Sequence, residues 1–168
     1  TVERYLDLIK KLKVENPRVK FSSDFIIGYP DEDEKDFKST IKLLQKVEYI
    51  NAYSFIFSPR PGTPAAKMKM IDKAIAKKRL MSFQKIANEI KRKYRNNIIS
   101  KISLVLFENE LQNQKNYFFG RDEFSNPIVV ESKENLVGKI KQVQINGGNQ
   151  NTLFGRIIQN SNNREFAA

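Results

Sequence analysis

The sequence contains neither cysteine nor histidine among its 168 residues. Disulfide bonds, thiolate nucleophiles, zinc sites built from cysteine and histidine, and acid–base catalysis by histidine are therefore excluded within these residues. No apolar run approaches about 18 residues, so we expect no transmembrane helix. The chain starts at Thr1, without an initiator methionine or a signal-peptide pattern, and we expect it to be a piece of a longer protein.

Positive charge is abundant and unevenly distributed. The net charge is +11, yet residues 98–168 hold eight basic and seven acidic residues, which leaves +10 for residues 1–97. Residues 60–95 alone carry twelve basic and two acidic residues. A localised basic segment favours contact with nucleic acid or another polyanion. The alternative is a lysine-rich composition that only decorates solvated faces.

The first half alternates between strand and helix patterns. Strands are predicted at 19–27 and 50–57, and a helix begins between them near Asp33. Asp36 lies three residues after Asp33, as in a capping box, so we interpret the acidic run 31–34 first as helix-start chemistry, with metal ligation as the alternative. A strand–helix–strand unit predicts two parallel strands with bare edges. We therefore expect further strands from missing N-terminal sequence or from another chain.

A proline-rich loop follows the second strand. Pro59, Pro61 and Pro64 are three of the six prolines in the chain, and Arg60 and Gly62 lie among them. Proline ends a strand and leaves a stiff loop with little conformational entropy to lose. A rigid loop that carries one arginine at a strand end suggests a ligand site. A simple strand-to-helix connection is the alternative.

The second half changes character. A basic helix is predicted over about 72–97, and five short strands with period-two patterning follow it within some 60 residues. This pattern predicts a small antiparallel barrel. We therefore predict an α/β domain at 1–97 that includes the helix, an all-β barrel at 98–160, and a tail at 161–168.

Two stretches resemble the radical-SAM methylthiotransferases. Residues 24–32 (DFIIGYPDE), followed by Asp36-Phe37, are similar to one motif of that family, and residues 53–65 (YSFIFSPRPGTPA) are similar to a second. The similarity is best to the tRNA branch, which makes 2-methylthio-isopentenyladenosine beside the anticodon. Residues 102–158 resemble the TRAM domain of these proteins, a small RNA-binding β-barrel.

The resemblance implies a fold and an activity for the parent protein. The first half would be the last βα units of a partial (βα)6 radical-SAM barrel, and the second a five-stranded, OB-like TRAM barrel. Family members use S-adenosylmethionine and two [4Fe-4S] clusters, and they methylthiolate C2 of adenine by way of a 5′-deoxyadenosyl radical. Because the cysteines that ligate both clusters are absent, this fragment should be inactive alone and should hold no catalytic residue and no metal.

The resemblance also places cofactor-binding residues on the rim of the barrel. Asp24 would instead point into the barrel by strand parity, where it could position the cofactor or be a satisfied buried carboxylate. For Arg60, the alternative is a salt bridge that holds the loop. Asp31 stands where the family usually has glycine, and aspartate tolerates a positive φ better than most residues. The candidate cofactor-binding residues are Asp24, Gly28, Pro30, Ser58, Pro59 and Arg60.

RNA binding is assigned to the barrel and to the basic helix. The candidate phosphate contacts are Arg121, Lys139, Lys141 and Arg156. Phe118, Phe119 and Phe124 are candidate stacking platforms, although at least two of the three are expected in the barrel core. Since the barrel is nearly neutral, the basic helix is expected to supply more of the affinity.

The predicted parent is thus a cytoplasmic, monomeric tRNA-modifying enzyme that binds tRNA and no membrane. Two alternatives remain open at this point. One is a methylthiotransferase of the same layout that acts on threonylcarbamoyladenosine or on a ribosomal-protein aspartate. The other is an RNA-binding module without a catalytic role.

Overall fold

The computed structural model describes residues 1–158, so the predicted tail at 161–168 and the last two residues of the predicted barrel domain lie outside it. The chain divides into two compact units, of which the first is Thr1–Tyr94 and the second begins at Arg95. The first unit contains α1 (Val2–Glu15), β1 (Ser22–Ile27), α2 (Glu34–Val47), β2 (Asn51–Ile56), a 3₁₀ helix (Pro64–Lys67) and most of α3 (Lys73–Asn96).

The two strands of the first unit are parallel, as predicted. Their register pairs Ser22 with Asn51 and Ile27 with Ile56. One face of this sheet packs on the helices, where Ile27, Leu44 and Phe83 are fully buried. The spacing of apolar residues in α2 and α3 produces this core, because residues three and four apart lie on one side of a helix.

The start of α2 confirms the predicted capping box. The backbone N–H of Asp36 donates to Asp33 Oδ1 at 2.7 Å, and the N–H of Asp33 donates to Asp36 Oδ2 at 3.2 Å. The bond from Asp36 to its carboxylate lowers the pKa of Asp33 below its ordinary value. Helix-start chemistry therefore accounts for Asp33 and Asp36, while Glu32 has another role that is described below.

The second unit is a closed five-stranded barrel. Its strands are β3 (Ile102–Glu110), β4 (Tyr117–Asp122), β5 (Pro127–Glu131), β6 (Ile140–Gly148) and β7 (Leu153–Ile157), in the order β3-β4-β5-β7-β6. The prediction of an antiparallel barrel was wrong in one pair, because β5 and β7 run parallel. Directions cannot alternate around a closed ring with an odd number of strands, so at least one neighbouring pair must be parallel.

The barrel core consists of inward-facing residues from all five strands. Its largest fully buried side chains include Phe107, Ile128 and Ile145, and Leu136 joins them from the connection before β6. Gly138, at φ +76°, belongs to the turn before β6, and its N–H donates to the Phe107 carbonyl at 2.8 Å. β6 therefore starts only at Ile140. Within residues 1–158, no helix combines the length and apolar character needed to cross a bilayer.

Candidate functional site

The carboxyl ends of β1 and β2 bring the two motif stretches together. The backbone N–H of Phe57 donates to the Ile27 carbonyl at 2.9 Å, which continues the parallel ladder one residue past β2. Gly28 and Ser58 are the next residues along each strand, so both turns begin at the same edge of the sheet. Ligands of parallel sheets bind at this kind of edge.

The turn after β1 is held by its own backbone and by one glutamate. Gly28 has φ +73° and Asp31 has φ 62°. Asp31 therefore adopts the left-handed conformation that is expected at a position where the family usually has glycine. The Glu32 N–H donates to the Tyr29 carbonyl at 3.0 Å, and the Gly28 N–H donates to Glu32 Oε2 at 3.1 Å. The Gly28 amide is thus occupied within the turn.

Arg79 of α3 anchors the same turn from the other side. Its Nη1 donates to Glu32 Oε1 at 2.7 Å and to the Glu32 carbonyl at 2.8 Å, while Nη2 lies 3.6 Å from Glu34 Oε2. The Arg79 and Glu32 side chains are only 10% and 9% exposed, so the ion pair is buried. A buried guanidinium that is shared with a carboxylate and a carbonyl fixes the position of the turn relative to α3.

The proline-rich loop is ordered by short local hydrogen bonds. The Thr63 hydroxyl donates to the Arg60 carbonyl at 2.8 Å, and the Thr63 N–H donates to the same oxygen at 3.2 Å. Gly62 supplies the positive φ of +82° that this turn requires. The Arg60 side chain is exposed and has no ion pair among residues 1–158, so the salt-bridge interpretation of Arg60 was wrong there.

The sheet face opposite the helices is open in this chain. Ile26, Tyr53 and Phe55 are 58%, 56% and 58% exposed, and strand parity places Asp24 with them. Asp24 is exposed on this open face, and its roles as a cofactor contact or as a buried carboxylate of the complete barrel stay predictions. The sequence predicted two parallel strands that lack neighbouring strands, and such a sheet leaves one apolar face uncovered.

The structure brings most of the predicted cofactor-binding residues to one edge. Gly28 and Pro30 are buried, whereas Ser58 and Pro59 are exposed. The rings of Tyr29 and Phe57 meet edge to face, with centroids 5.0 Å apart, between the two turns. Asp24 lies further down β1, on the open face. The roles of these residues in cofactor binding stay predictions.

The predicted RNA contacts on the barrel do not form one cluster. Arg121 faces outward on β4, in an ion pair of 3.2 Å with Glu108, and its guanidinium lies 5.2 Å from the Phe119 ring centroid. Arg156 faces outward on β7, where its Nη2 donates to Gln144 Oε1 at 2.9 Å. The two arginines lie on strands that are not neighbours in the barrel.

The two lysines differ in their environment. Lys139 is exposed in the turn before β6. Lys141 of β6 pairs with Val105 of β3. It lies on the same side of β6 as the buried Val143, so its side chain is partly buried. Lys139 is accordingly the more accessible of the two candidates.

The aromatic candidates also separate. Phe118 is 4% exposed and belongs to the barrel core, whereas Phe119 and Phe124 are partly exposed and lie outside it. The expectation that at least two of the three are core residues was therefore wrong. Phe119 remains available for stacking, beside Arg121.

Glu32 and Arg79 are the site residues that the sequence interpretation missed. Glu32 was grouped with the acids at the start of α2, and Arg79 with the solvated cations of α3. One signal was present: Arg79 lies four residues before Phe83, on the buried stripe of α3 rather than on its outer face. A charge on a buried stripe indicates a partner inside the protein.

The residues of this chain lack the usual ligands of an iron–sulfur cluster. The chain has no cysteine, and residues 1–158 contain no group of three or more histidine, cysteine, aspartate or glutamate side chains that could hold a metal ion. The residues that are present therefore do not fit an iron–sulfur cluster.

Comparison with known proteins identifies similar chains along nearly the whole sequence. No protein-family model matches. The tRNA-2-methylthio-N(6)-dimethylallyladenosine synthase of Pelagibacter ubique (strain HTCC1062) is 45% identical over 163 residues, which is 96% of this chain and 36% of that protein. The synthases with the same name from Wolbachia sp. subsp. Brugia malayi (strain TRS) and Bacillus subtilis (strain 168) are 37% and 35% identical, over 95% and 93% of this chain.

The chain spans 36%, 36% and 31% of the length of these three relatives. The match confirms the resemblance that residues 24–37 and 53–65 indicated. Almost the whole chain is homologous to about one third of the length of the tRNA-2-methylthio-N(6)-dimethylallyladenosine synthases, as a C-terminal fragment of such a synthase would be.

Proposed function

We propose that this chain is the C-terminal part of a radical-SAM tRNA methylthiotransferase that acts on C2 of isopentenyladenosine next to the anticodon. The similarity to named tRNA-2-methylthio-N(6)-dimethylallyladenosine synthases over 96% of the chain carries the proposal. The parent protein is proposed to be cytoplasmic and monomeric. Methylthiolation of threonylcarbamoyladenosine or of a ribosomal-protein aspartate is less favoured, because the relatives' names specify the dimethylallyladenosine product.

The first unit is proposed to be the end of a partial (βα)6 barrel. In that arrangement, the open face of Ile26, Tyr53 and Phe55 would be covered by the rest of the barrel, and the edge at Gly28 and Ser58 would be part of the rim. S-adenosylmethionine, when bound in the parent protein, would supply the radical that activates the adenine C–H bond. The exposed Ser58 hydroxyl and Arg60 guanidinium are suited to hold its polar groups in place.

Both [4Fe-4S] clusters are proposed to belong to other parts of the parent protein. Thiolate is the usual cluster ligand, and this chain has none. We therefore expect the isolated chain to show no visible cluster absorbance after anaerobic incubation with iron and sulfide. A stoichiometric cluster band would contradict this assignment.

The barrel of the second unit is proposed to be a TRAM domain that contacts tRNA. Arg121, Lys139 and Arg156 are exposed on it, and Phe119 is partly exposed beside Arg121. Replacement of Arg121 and Arg156 by glutamine should weaken tRNA binding and reduce its dependence on salt. The matched control replaces Lys115 and Lys133, two further exposed cations of the same unit, by glutamine.

The decisive experiment uses the full-length protein that contains this chain. It is expressed in a bacterium whose own synthase gene is deleted, and the tRNA nucleosides are analysed by mass spectrometry. The proposal predicts that 2-methylthio-isopentenyladenosine reappears. Appearance of the methylthiolated threonylcarbamoyl nucleoside instead would favour the alternative enzyme, and tRNA binding without any methylthiolated product would favour an RNA-binding module.

A further inference from the structure

The outer face of α3 carries a row of cations that the fold of the first unit leaves unused. Lys78, Lys85 and Arg92 are spaced by seven residues, and seven residues are close to two turns of helix, so they lie on one line along it. All three side chains are exposed. Met81 and Ser82 lie between Lys78 and Lys85, and Asn88 and Glu89 lie between Lys85 and Arg92. We refer to Lys78, Lys85 and Arg92 as the basic row.

The basic row has no internal partner. Within residues 1–158, none of its three cations forms an ion pair, whereas Arg79 is bound to Glu32 and Lys93 lies 3.5 Å from Glu48. Glu89 is the only acidic residue between Lys73 and Asn96. Glu89 lies four residues after Lys85 and offsets part of this charge, but three cations and one carboxylate still leave a net positive line along the helix, which attracts a polyanion.

The opposite face of α3 is already used. Ala76, Phe83 and Ala87 are at most 9% exposed because they pack into the core of the first unit. A helix that binds a membrane surface needs a free apolar face to insert, and α3 has none. Met81, which is 62% exposed, lies beside the row, but the row has none of the aromatic anchors that dominate the centre of protein–protein interfaces.

We infer that the basic row binds the phosphate backbone of the tRNA. The row extends over about 21 Å at a rise of 1.5 Å per residue, so its cations can contact several successive phosphates rather than one anionic group. This inference rests on the proposed tRNA-modifying function. It places a tRNA contact on the first unit, separate from the contacts that are assigned to the barrel.

The test compares two variants of the whole chain with identical loss of charge. The row variant carries Lys78→Gln, Lys85→Gln and Arg92→Gln. The control variant carries Arg4→Gln, Lys10→Gln and Lys11→Gln, which removes two lysines and one arginine from exposed positions of α1. A tRNA transcript is titrated against each protein between about 50 and 200 mM salt, and circular dichroism confirms that both variants are folded.

The row variant should bind at least about tenfold more weakly at the lowest salt, and its plot of log affinity against log salt should be shallower by about 2. The control variant should stay within about threefold of the wild type, because it loses only long-range attraction. Equal losses in the two variants would overturn the inference and leave the proposed function intact. Absence of tRNA binding by the wild-type chain would overturn the inference together with the proposed tRNA contact.

Discussion

Gly28 and Gly62 show how two glycines with similar backbone conformations differ in their surroundings. Both adopt a positive φ, +73° and +82°, but a Cβ on Gly28 would lie 2.9 Å from the Ala76 Cβ, whereas one on Gly62 would have nothing within 4 Å. Gly62→Ala should lower the free energy of unfolding by about 1 kcal/mol through φ strain alone. Gly28→Ala should lower it by about 2–4 kcal/mol, because overpacking adds to the strain.

Urea unfolding followed by helical circular dichroism measures both changes. The double variant Gly28→Ala, Ala76→Gly removes the close contact. Gly28→Ala should therefore lower the free energy of unfolding less in the Ala76→Gly background than in the wild type. The difference between the two losses is the packing contribution. Equal effects of Gly28→Ala and Gly62→Ala would show that the contact with α3 is unimportant.

The buried Arg79–Glu32 ion pair is expected to contribute to the stability of the first unit. Removal of one partner leaves a buried charge without compensation, so Arg79→Met should lower the free energy of unfolding by about 3 kcal/mol. Lys78→Met is the matched control, since Lys78 is exposed and should change stability by less than about 0.5 kcal/mol.

A double-mutant cycle then isolates the pair. Arg79→Met combined with Glu32→Gln should be less destabilising than the sum of the two single changes. Additive effects would mean that Arg79 stabilises the turn through the Glu32 carbonyl or through its contact with the Phe37 ring, and not through the carboxylate.

At the scale of single elements, the start of α2 makes stability depend on pH. Since the pKa of Asp33 is lower in the folded state than in the unfolded chain, its contribution is complete above the unfolded value and is lost as the pH falls through the folded value. Asp33→Asn keeps an acceptor at the N-cap position but no longer titrates.

Wild type and Asp33→Asn should therefore differ most in free energy of unfolding at neutral pH and converge below the ordinary carboxyl pKa near 4. Denaturant unfolding at a series of pH values measures this convergence. A difference that stays constant down to strongly acidic pH would show that the capping carboxylate does not contribute through its charge.

At the scale of the whole molecule, the two-stranded sheet depends on α3. Phe83, with no exposed surface, packs against Phe25 with ring centroids 4.8 Å apart, and Ala87 closes the same core. A fragment of residues 1–66 lacks both and should not melt cooperatively, because two strands and two helices bury too little apolar surface.

The matched comparison is residues 1–94, which restore α3 up to Tyr94. This longer fragment should gain helical signal and a sharper thermal transition than residues 1–66. A cooperative transition of residues 1–66 alone would show that the sheet is stabilised without α3.

Local rules recovered the elements whose formation is itself local. The capping box of Asp33 and Asp36 and the positive φ accepted at Asp31 depend on neighbours in sequence, so the residue types predicted them. The parallel pairing of β1 and β2 is not local, but the order strand–helix–strand predicted it. The two motif stretches likewise indicated a resemblance that the similarity to the named synthases bears out, because a run such as SPRPGTPA is specific without any structure.

Only the tertiary structure decided which side chains meet over long distances. The Arg79–Glu32 pair joins residues that are 47 positions apart, and composition could not separate this buried cation from the exposed ones around it. Closure of the barrel decided the parallel pairing of β5 with β7 and the inward parity of Lys141, since ring closure constrains all five strands together. The sequence by itself thus determined the local elements, the parallel βαβ unit and the family resemblance, whereas the side-chain contacts between distant residues followed from packing the elements around common cores.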